Sequence, residues 1–208
     1  LQRPDELGLL TPLLAAVHMT HLTGAEVSLL AGRGVSVVHC PESNLKLASG
    51  FCPIAELAAA GINIALGTDG ASSNNDLDMF GEMRSCALLA KGVAQRADVA
   101  PAAAVLGMAT LNGAKALGLG DRIGSLMTGK EADVICVDLS AAATQPVYDP
   151  VSQLVYATSR DQVSDVWVAG RQLLADHQPL LADAPAILAR AEAWRARLSA
   201  ARGSVADD

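Results

Sequence analysis

Three short apolar stretches lie in the first third of the chain, and each is followed by polar residues. They cover residues 13–17, 35–38 and 61–66 and consist mostly of Ala, Val, Leu and Ile. Apolar runs with few polar interruptions are typical of strands buried on both faces, as in the parallel sheets of α/β proteins. Helical patterns separate them, so the chain predicts successive strand–loop–helix units and an α/β class.

The segments between and after these strands carry helix signals. Thr23 and Glu26 form a capping box, which predicts a helix that runs to Gly32 or Gly34. Pro53 predicts the start of the next helix, because proline is favoured at the first helical position. The remaining helices of this half are predicted over residues 54–60, from about residue 76 to 91, and over 101–119.

Two connections are predicted to be functional. Residues 40–50 form a loop that is long for a strand-to-helix connection, and long loops in compact domains often carry function. Ser72, Ser73 and Asn74 precede the helix predicted near residue 76, where residues of these types are favoured as N-caps.

The pattern changes after residue 120. Strands are predicted over residues 123–126, 132–138 and 163–173, separated by turns. A short helix is predicted to end at Tyr156, and an amphipathic helix over residues 184–201. We therefore predict two domains, a partial α/β barrel over residues 1–120 and a small β region with a terminal helix over residues 121–208.

Composition and charge limit the classes of molecule that the chain is expected to bind. The 208 residues carry a net charge of -7, which argues against binding to nucleic acid because phosphate contacts need clustered Lys and Arg. No apolar run reaches the roughly 18 residues of a membrane span. A small-molecule ligand fits the negative charge better. The four cysteines show no C-x-x-C pair, so a reducing cytoplasm is expected. Since Leu1 replaces the usual Met and no secretory pattern follows it, we expect a piece of a longer protein.

Candidate site residues stand at the ends of the three predicted strands. His18, His39 and Asp69 each come at or just past a strand's carboxyl end, where loops of parallel sheets converge over a site. Glycines before and after Asp69 allow the backbone to turn sharply and approach a ligand. His21 and His177 are interpreted instead as ordinary turn residues.

Long motifs give the sequence a family resemblance. Residues 38–50 read V-H-C-P-E-S-N-L-K-L-A-S-G and residues 67–79 read G-T-D-G-A-S-S-N-N-D-L-D-M. Together with A-V-H-M-T-H-L at 16–22 and I-G-S-L-M-T-G-K-E-A-D at 123–133, they resemble the amidohydrolase superfamily. Within it they are most similar to the branch of 5-methylthioadenosine/S-adenosylhomocysteine deaminases, with guanine deaminases and triazine chlorohydrolases nearby.

The resemblance implies a zinc-bearing (β/α)8 TIM barrel with a small β-sandwich, of which this chain would supply barrel units six to eight and the C-terminal part of the sandwich. It implies that Asp69 binds the metal and activates water, that His18 steadies the attacking hydroxide, and that His39 lines the substrate site beside Asp69. The family's His-x-His and His-x-x-Glu ligand motifs have no counterpart in this chain.

The leading hypothesis is a cytoplasmic, homo-oligomeric zinc enzyme that deaminates adenosine-type nucleosides when full length. A guanine-type deaminase or a chlorohydrolase of the same branch is an alternative. A different alternative is a non-catalytic remnant that binds a partner. The H-x-E and P-C-x-x-C signature of cytidine-type zinc deaminases is absent from the sequence, which excludes that class.

Overall fold

A parallel three-stranded sheet forms the centre of the first half of the molecule. The structure, a computed structural model, describes residues 1–203, with side chains through residue 200. Strands β1 (Ala15–Val17), β2 (Ser36–His39) and β3 (Ile64–Leu66) pair in the order β1-β2-β3. The register places Ala16 opposite Val37 and Val38 opposite Ala65. The three predicted strands and the α/β class are confirmed, although β1 and β3 are shorter than their apolar stretches and β2 is shifted by one residue toward His39.

Within the described residues, seven helices accompany this sheet. They are α1 (Gln2–Glu6), α2 (Gly24–Arg33), α3 (Pro41–Lys46), α4 (Ile54–Ala59), α5 (Met79–Ala94), α6 (Ala102–Ala109) and α7 (Leu111–Ala116). The capping box predicted for α2 is present, since Thr23 Oγ1 accepts from the Glu26 amide at 3.3 Å and Glu26 Oε2 accepts from the Thr23 amide at 2.9 Å. Gly34 ends α2 in a left-handed conformation, with φ 66°, that favours glycine.

Two predicted connections are wrong in detail. The loop expected over residues 40–50 contains α3, which begins at Pro41. Proline is tolerated there because the first residue of a helix donates no backbone hydrogen bond within the helix. Helix α5 begins at Met79 rather than near residue 76, and its N-cap is Asp78, whose carboxylate accepts from the Phe80 amide at 2.9 Å. Ser73 and Asn74 are therefore free for other contacts.

The core lies between the parallel sheet and helices α4 to α7. Helices α5, α6 and α7 all pack on β3, whose three residues are buried. Leu57 of α4 and Val105 of α6 are fully buried beside Ile64. Burial of apolar surface of this kind is the main stabilising term in folding. The helical layer therefore fixes the carboxyl end of β3 and the segment that leaves it.

A separate antiparallel sheet follows. Strands β4 (Val134–Val137), β5 (Val163–Val168), β6 (Arg171–Ala175) and β7 (Gln178–Pro179) pair in that order. Residues 123–126 are irregular rather than a strand, and the stretch 163–173 is two strands, because Ala169 and Gly170 adopt left-handed turn conformations. The short helix predicted to end at Tyr156 is confirmed as α8 (Pro150–Tyr156), and it packs on α5 and α6.

Helix α9 (Ala184–Gly203) is confirmed, but its described side chains are exposed on every side, including Trp194 and Leu198. The apolar stripe that the spacing predicted therefore covers no core within the described residues. None of the described helices is long and apolar enough to cross a membrane. The division into domains 1–120 and 121–208 stays a prediction, and residues 204–208 of the second domain lie outside the described residues.

Candidate active site

The structure brings two of the three predicted site residues face to face at the carboxyl edge of the parallel sheet. His18 follows β1 directly, and Asp69 lies three residues past β3. The distance from His18 Nε2 to Asp69 Oδ2 is 3.8 Å. Both backbones are left-handed, with φ 70° and 61°, a conformation that His and Asp adopt more often than most residues. Such strained positions cluster at functional sites, because the surrounding structure holds them there.

Two serine hydroxyls hold the carboxylate of Asp69. Ser73 Oγ and Ser43 Oγ both donate to Oδ2, at 2.7 and 2.8 Å. These hydrogen bonds, Ser73 first and then Ser43, with the Gly70 amide adding to them, lower the pKa of Asp69 to about 2. The side chain is one-third exposed. Asp69 therefore presents an oriented carboxylate that is ionised throughout the neutral range.

An asparagine orients His18. Asn44 Oδ1 lies 2.8 Å from His18 Nδ1, and because the amide oxygen accepts, the ring proton belongs on Nδ1. Nε2 is then the nitrogen that faces Asp69. Asn44 itself is buried, and α3 carries it one position after Ser43. A single short helix thus supports both the imidazole and the carboxylate.

His39 differs from the other two because it is the last residue of β2 and is 3% exposed. Burial lowers its pKa to about 4, and the neighbouring His18 adds to this. Its Nδ1 has no hydrogen-bond partner among the described residues. His39 and Asn44 are among the residues that line a cavity of about 10 Å³, which is room for one water. His39 is therefore a neutral imidazole beneath the site, and its substrate contact stays a prediction.

The supporting residues were missed at the level of sequence. Ser43 and Asn44 lie inside the P-E-S-N motif that carries the family resemblance, but the motif alone assigns them no contact. Ser73 is predicted from its position to cap a helix, and it donates to Asp69 instead. The available signal was the repetition of Ser–Asn, at 43–44 and again at 73–74, just past two successive strands.

The donor set fits a metal only in part. Asp69 has the ionised, partly exposed carboxylate of a zinc ligand, and His18 Nε2 faces it. Catalytic zinc sites use three protein ligands, yet no group of three or more His, Cys, Asp or Glu side chains within the described residues is arranged to hold a metal ion. The described part of the chain therefore offers one fitting ligand and not a complete zinc site.

Within the described residues, the other histidines and the buried cysteines make no hydrogen bond to the side chain of His18 or of Asp69. His21 and His177 are exposed turn residues, and the His177 amide donates to the Ser164 carbonyl at 2.9 Å. Cys40, Cys52 and Cys86 are buried as free thiols. Burial raises the pKa of Cys40 to about 11 and those of Cys52 and Cys86 to about 12, so these thiols are unreactive at neutral pH.

Solved structures with the same fold are also similar to this chain in sequence. An adenosine deaminase from Xanthomonas campestris with bound zinc is 57% identical and superposes with a TM-score of 0.94 over 96% of this chain and 45% of its own. An atrazine chlorohydrolase from Arthrobacter aurescens complexed with zinc is 30% identical, with a TM-score of 0.85 over 91% of this chain and 42% of its own.

Curated relatives agree with the solved structures. A 5-methylthioadenosine/S-adenosylhomocysteine deaminase from Teredinibacter turnerae is 56% identical over 84% of this chain and 39% of its own length. One from Moorella thermoacetica is 53% identical over 82% and 40%. The chain thus spans about 40% of the curated relatives it matches. The profile of the amidohydrolase family matches residues 1–173. The chain therefore belongs to the amidohydrolase family.

Proposed function

We propose that this chain is the C-terminal part of a zinc-dependent deaminase that replaces the amino group of 5-methylthioadenosine or S-adenosylhomocysteine by oxygen and releases ammonia. The observation that carries the proposal is the ionised Asp69 carboxylate, held by two serines, facing an asparagine-oriented His18 at the carboxyl edge of a parallel sheet. The names of its relatives at 53–56% identity support the same substrate class.

The proposal includes a barrel architecture for the whole protein. Strands β1, β2 and β3 and their helices would be units six to eight of a (β/α)8 barrel, and β4 to β7 would be the C-terminal part of the β-sandwich. Two features support this. All three strands of the first sheet are parallel, helices pack on β2 and β3, and β1 and β3 are edge strands of that sheet. The remaining barrel strands would pair with these edges.

In this proposal Asp69 and His18 have different catalytic roles. Asp69 would hold zinc through its carboxylate, together with ligands from the part of the relatives' length that this chain does not span, and would take a proton from the attacking water. The chemistry that zinc supplies when bound is a lower pKa for water, from about 15.7 to about 7. His18, with Nε2 turned toward the reacting face, would stabilise charge as the substrate carbon becomes tetrahedral. His39 would line the site from below.

One alternative within the family has a specific observation behind it, because the atrazine chlorohydrolase shares the fold at 30% identity. Chlorohydrolase and guanine-type activities therefore stay second candidates, and a non-catalytic, partner-binding role stays the third. Cytoplasmic location and a homo-oligomeric state stay predictions.

The test uses the full-length protein that contains this chain. Zinc content and ammonia release are measured with 5-methylthioadenosine, S-adenosylhomocysteine and guanine, and chloride release with a chlorotriazine. We expect bound zinc and the highest kcat/KM with one of the two thioether nucleosides. A preference for guanine or the chlorotriazine would replace the proposal with the matching alternative, and a zinc-free, inactive protein would favour the non-catalytic role.

A further inference from the structure

Glu82 is a fully buried carboxyl group on α5, on the same side of the helix as the buried residues Met83 and Cys86. Glutamate is almost never buried unless its oxygens are paired. Each oxygen of Glu82 accepts a hydrogen bond, Oε1 from Asn74 Nδ2 at 2.5 Å and Oε2 from the Glu42 backbone amide at 3.2 Å. The carboxyl group therefore ties α5 to two other segments.

Those two segments carry the groups that support the active site. Glu42 lies in the first turn of α3, whose next residues, Ser43 and Asn44, contact Asp69 and His18. Asn74 follows Ser73, the second donor to Asp69. The Asn74 amide also donates to the Gly70 carbonyl at 2.8 Å, which closes the turn after Asp69. Glu82 is thus one hydrogen bond away from each segment that orients the candidate catalytic pair.

The chemistry of the contacts explains why this residue is an acid. Both neighbours are N–H donors, and only a carboxylate can accept on both oxygens, whereas a carboxamide would turn an N–H toward one of them. Asn74 is held on its other side, because its Oδ1 accepts from the amides of Asp76 and Leu77 at 3.2 and 3.0 Å. Its amide group therefore cannot flip to suit a different partner without losing those bonds.

A second carboxyl group packs against this network. Glu42 Oε1 accepts from Ser85 Oγ at 2.9 Å, and its Oε2 lies 3.5 Å from Asn74 Nδ2. Gly81 makes room for it, because a Cβ at that position would lie 2.9 Å from Glu42 Oε1. The two acids thus approach Asn74 together, and they join α3, α5 and the turn after Asp69 into one unit.

We infer that Glu82 is a positioning residue, which holds the turn after Asp69 and helix α3 in the register that directs Ser73 and Ser43 onto one carboxylate oxygen. The inference rests on the proposed function, since it gives Asp69 the role of metal ligand. It assigns a role to a residue that lies outside the motifs of the family resemblance.

The experiment compares three variants of the full-length protein with the wild type: Glu82→Gln, the double variant Glu82→Gln with Asn74→Asp, and Glu56→Gln as the matched control. Glu56 is exposed on α4, away from this network. The double variant has the same net charge as the wild type. It reverses one hydrogen bond, because the carboxamide at position 82 donates to the carboxylate at position 74. All measurements are made at pH 8, where Glu82 is a carboxylate. Folding is checked by circular dichroism, and zinc affinity is measured by competition with a chelator alongside kcat.

We expect Glu82→Gln to weaken zinc affinity and kcat each by up to about 10-fold, the low end of the effect of losing a direct partner of a metal ligand, because Glu82 reaches Asp69 only through the segments that carry Ser43 and Ser73. The double variant should recover most of both, and Glu56→Gln should match the wild type. Wild-type values for Glu82→Gln would overturn the inference, and so would a double variant that is no better than the single one. If Glu82→Gln does not fold, recovery of folding and zinc affinity in the double variant supports the inference, and failure of both overturns it.

The two claims fail in different ways. If the wild type does not deaminate adenosine-type nucleosides but Glu82→Gln binds zinc more weakly than the wild type, the proposed function is refuted and the positioning role is kept. If the wild type deaminates these nucleosides and Glu82→Gln has the same zinc affinity and kcat, the proposed function is kept and the positioning role is refuted.

Discussion

The buried carboxyl group of Glu82 makes the stability of the protein depend on pH in a defined direction. Burial raises its pKa from the ordinary 4.5 to about 7, and the facing carboxyl groups of Glu42 and Asp76 act in the same direction. The hydrogen bonds from the Glu42 amide and Asn74 oppose the rise but do not cancel it. The thiols of Cys40 and Cys86 also lie close enough to feel its charge.

The sign follows from linkage. A carboxyl group with a raised pKa binds a proton more tightly in the folded state, so its stabilising contribution is complete below pH 4.5 and is lost as pH rises through 7. At about 1.4 kcal/mol per pKa unit, the shift from 4.5 to about 7 corresponds to about 3.5 kcal/mol. Roughly three quarters of this loss, about 2.5 kcal/mol, should fall between pH 5 and pH 8.

The assay is urea unfolding of the full-length wild type and Glu82→Gln at pH 5 and pH 8. Glutamine does not titrate, so the difference in unfolding free energy between the two proteins should change by about 2.5 kcal/mol between the two pH values, to the disadvantage of the wild type at pH 8. Any constant cost of the substitution cancels in this comparison. A difference that is the same at both pH values, or that moves in the opposite direction, would refute the assignment of a raised pKa to Glu82.

The remaining predictions concern the site itself and the isolated chain. In the full-length protein, the asparagine of Asp69→Asn can adopt the left-handed backbone, but its amide can neither accept the proton nor replace a carboxylate ligand. Turnover should therefore fall by about 10²-fold or more. Near-normal ammonia release with full zinc content would contradict this role. His18→Ala should keep zinc and lose about 10²–10³ in kcat, and loss of zinc in metal analysis would make His18 a ligand instead. Ser73→Ala and Ser43→Ala should each weaken zinc affinity about 10-fold in chelator competition, with Ser72→Ala as the exposed control; unchanged affinity in both would show that neither hydroxyl matters. Residues 1–208 expressed alone should bind zinc weakly, show no deaminase activity and self-associate through the edges of β1 and β3; a monodisperse fragment with stoichiometric zinc in light scattering and metal analysis would refute the partial-barrel proposal.

Local patterns were sufficient for most of the elements. The three buried strands and the capped helix α2 follow from apolar runs and from Thr23 and Glu26, because such signals act over a few residues and need no distant partner. Patterns failed where two signals competed. Pro41 starts a helix inside the presumed loop, and the left-handed turn at Ala169 and Gly170 divides a continuous apolar stretch into two strands.

The candidate site was predictable in its positions but not in its contacts. Asp69 and His18 could be selected because carboxyl ends of parallel strands meet at one edge of a sheet, which is a property of the strand order alone. The serines that hold Asp69 are 26 residues before it and 4 residues after it in the chain, and no periodicity relates them. Their convergence on one oxygen depends on how α3 packs against the turn after β3.

The sequence by itself determined the strand and helix order, the candidate acid and imidazole, and the family motifs, since each depends on neighbouring residues or on strand ends. Only the tertiary structure decided that Ser73 and Asn74 serve the site rather than cap a helix, that His39 is buried and neutral, and that Glu82 links α3 to the turn after Asp69. The physical reason is that these hydrogen bonds and this desolvation depend on residues 4 to 40 positions apart that folding brings into contact, and local sequence patterns do not specify such contacts.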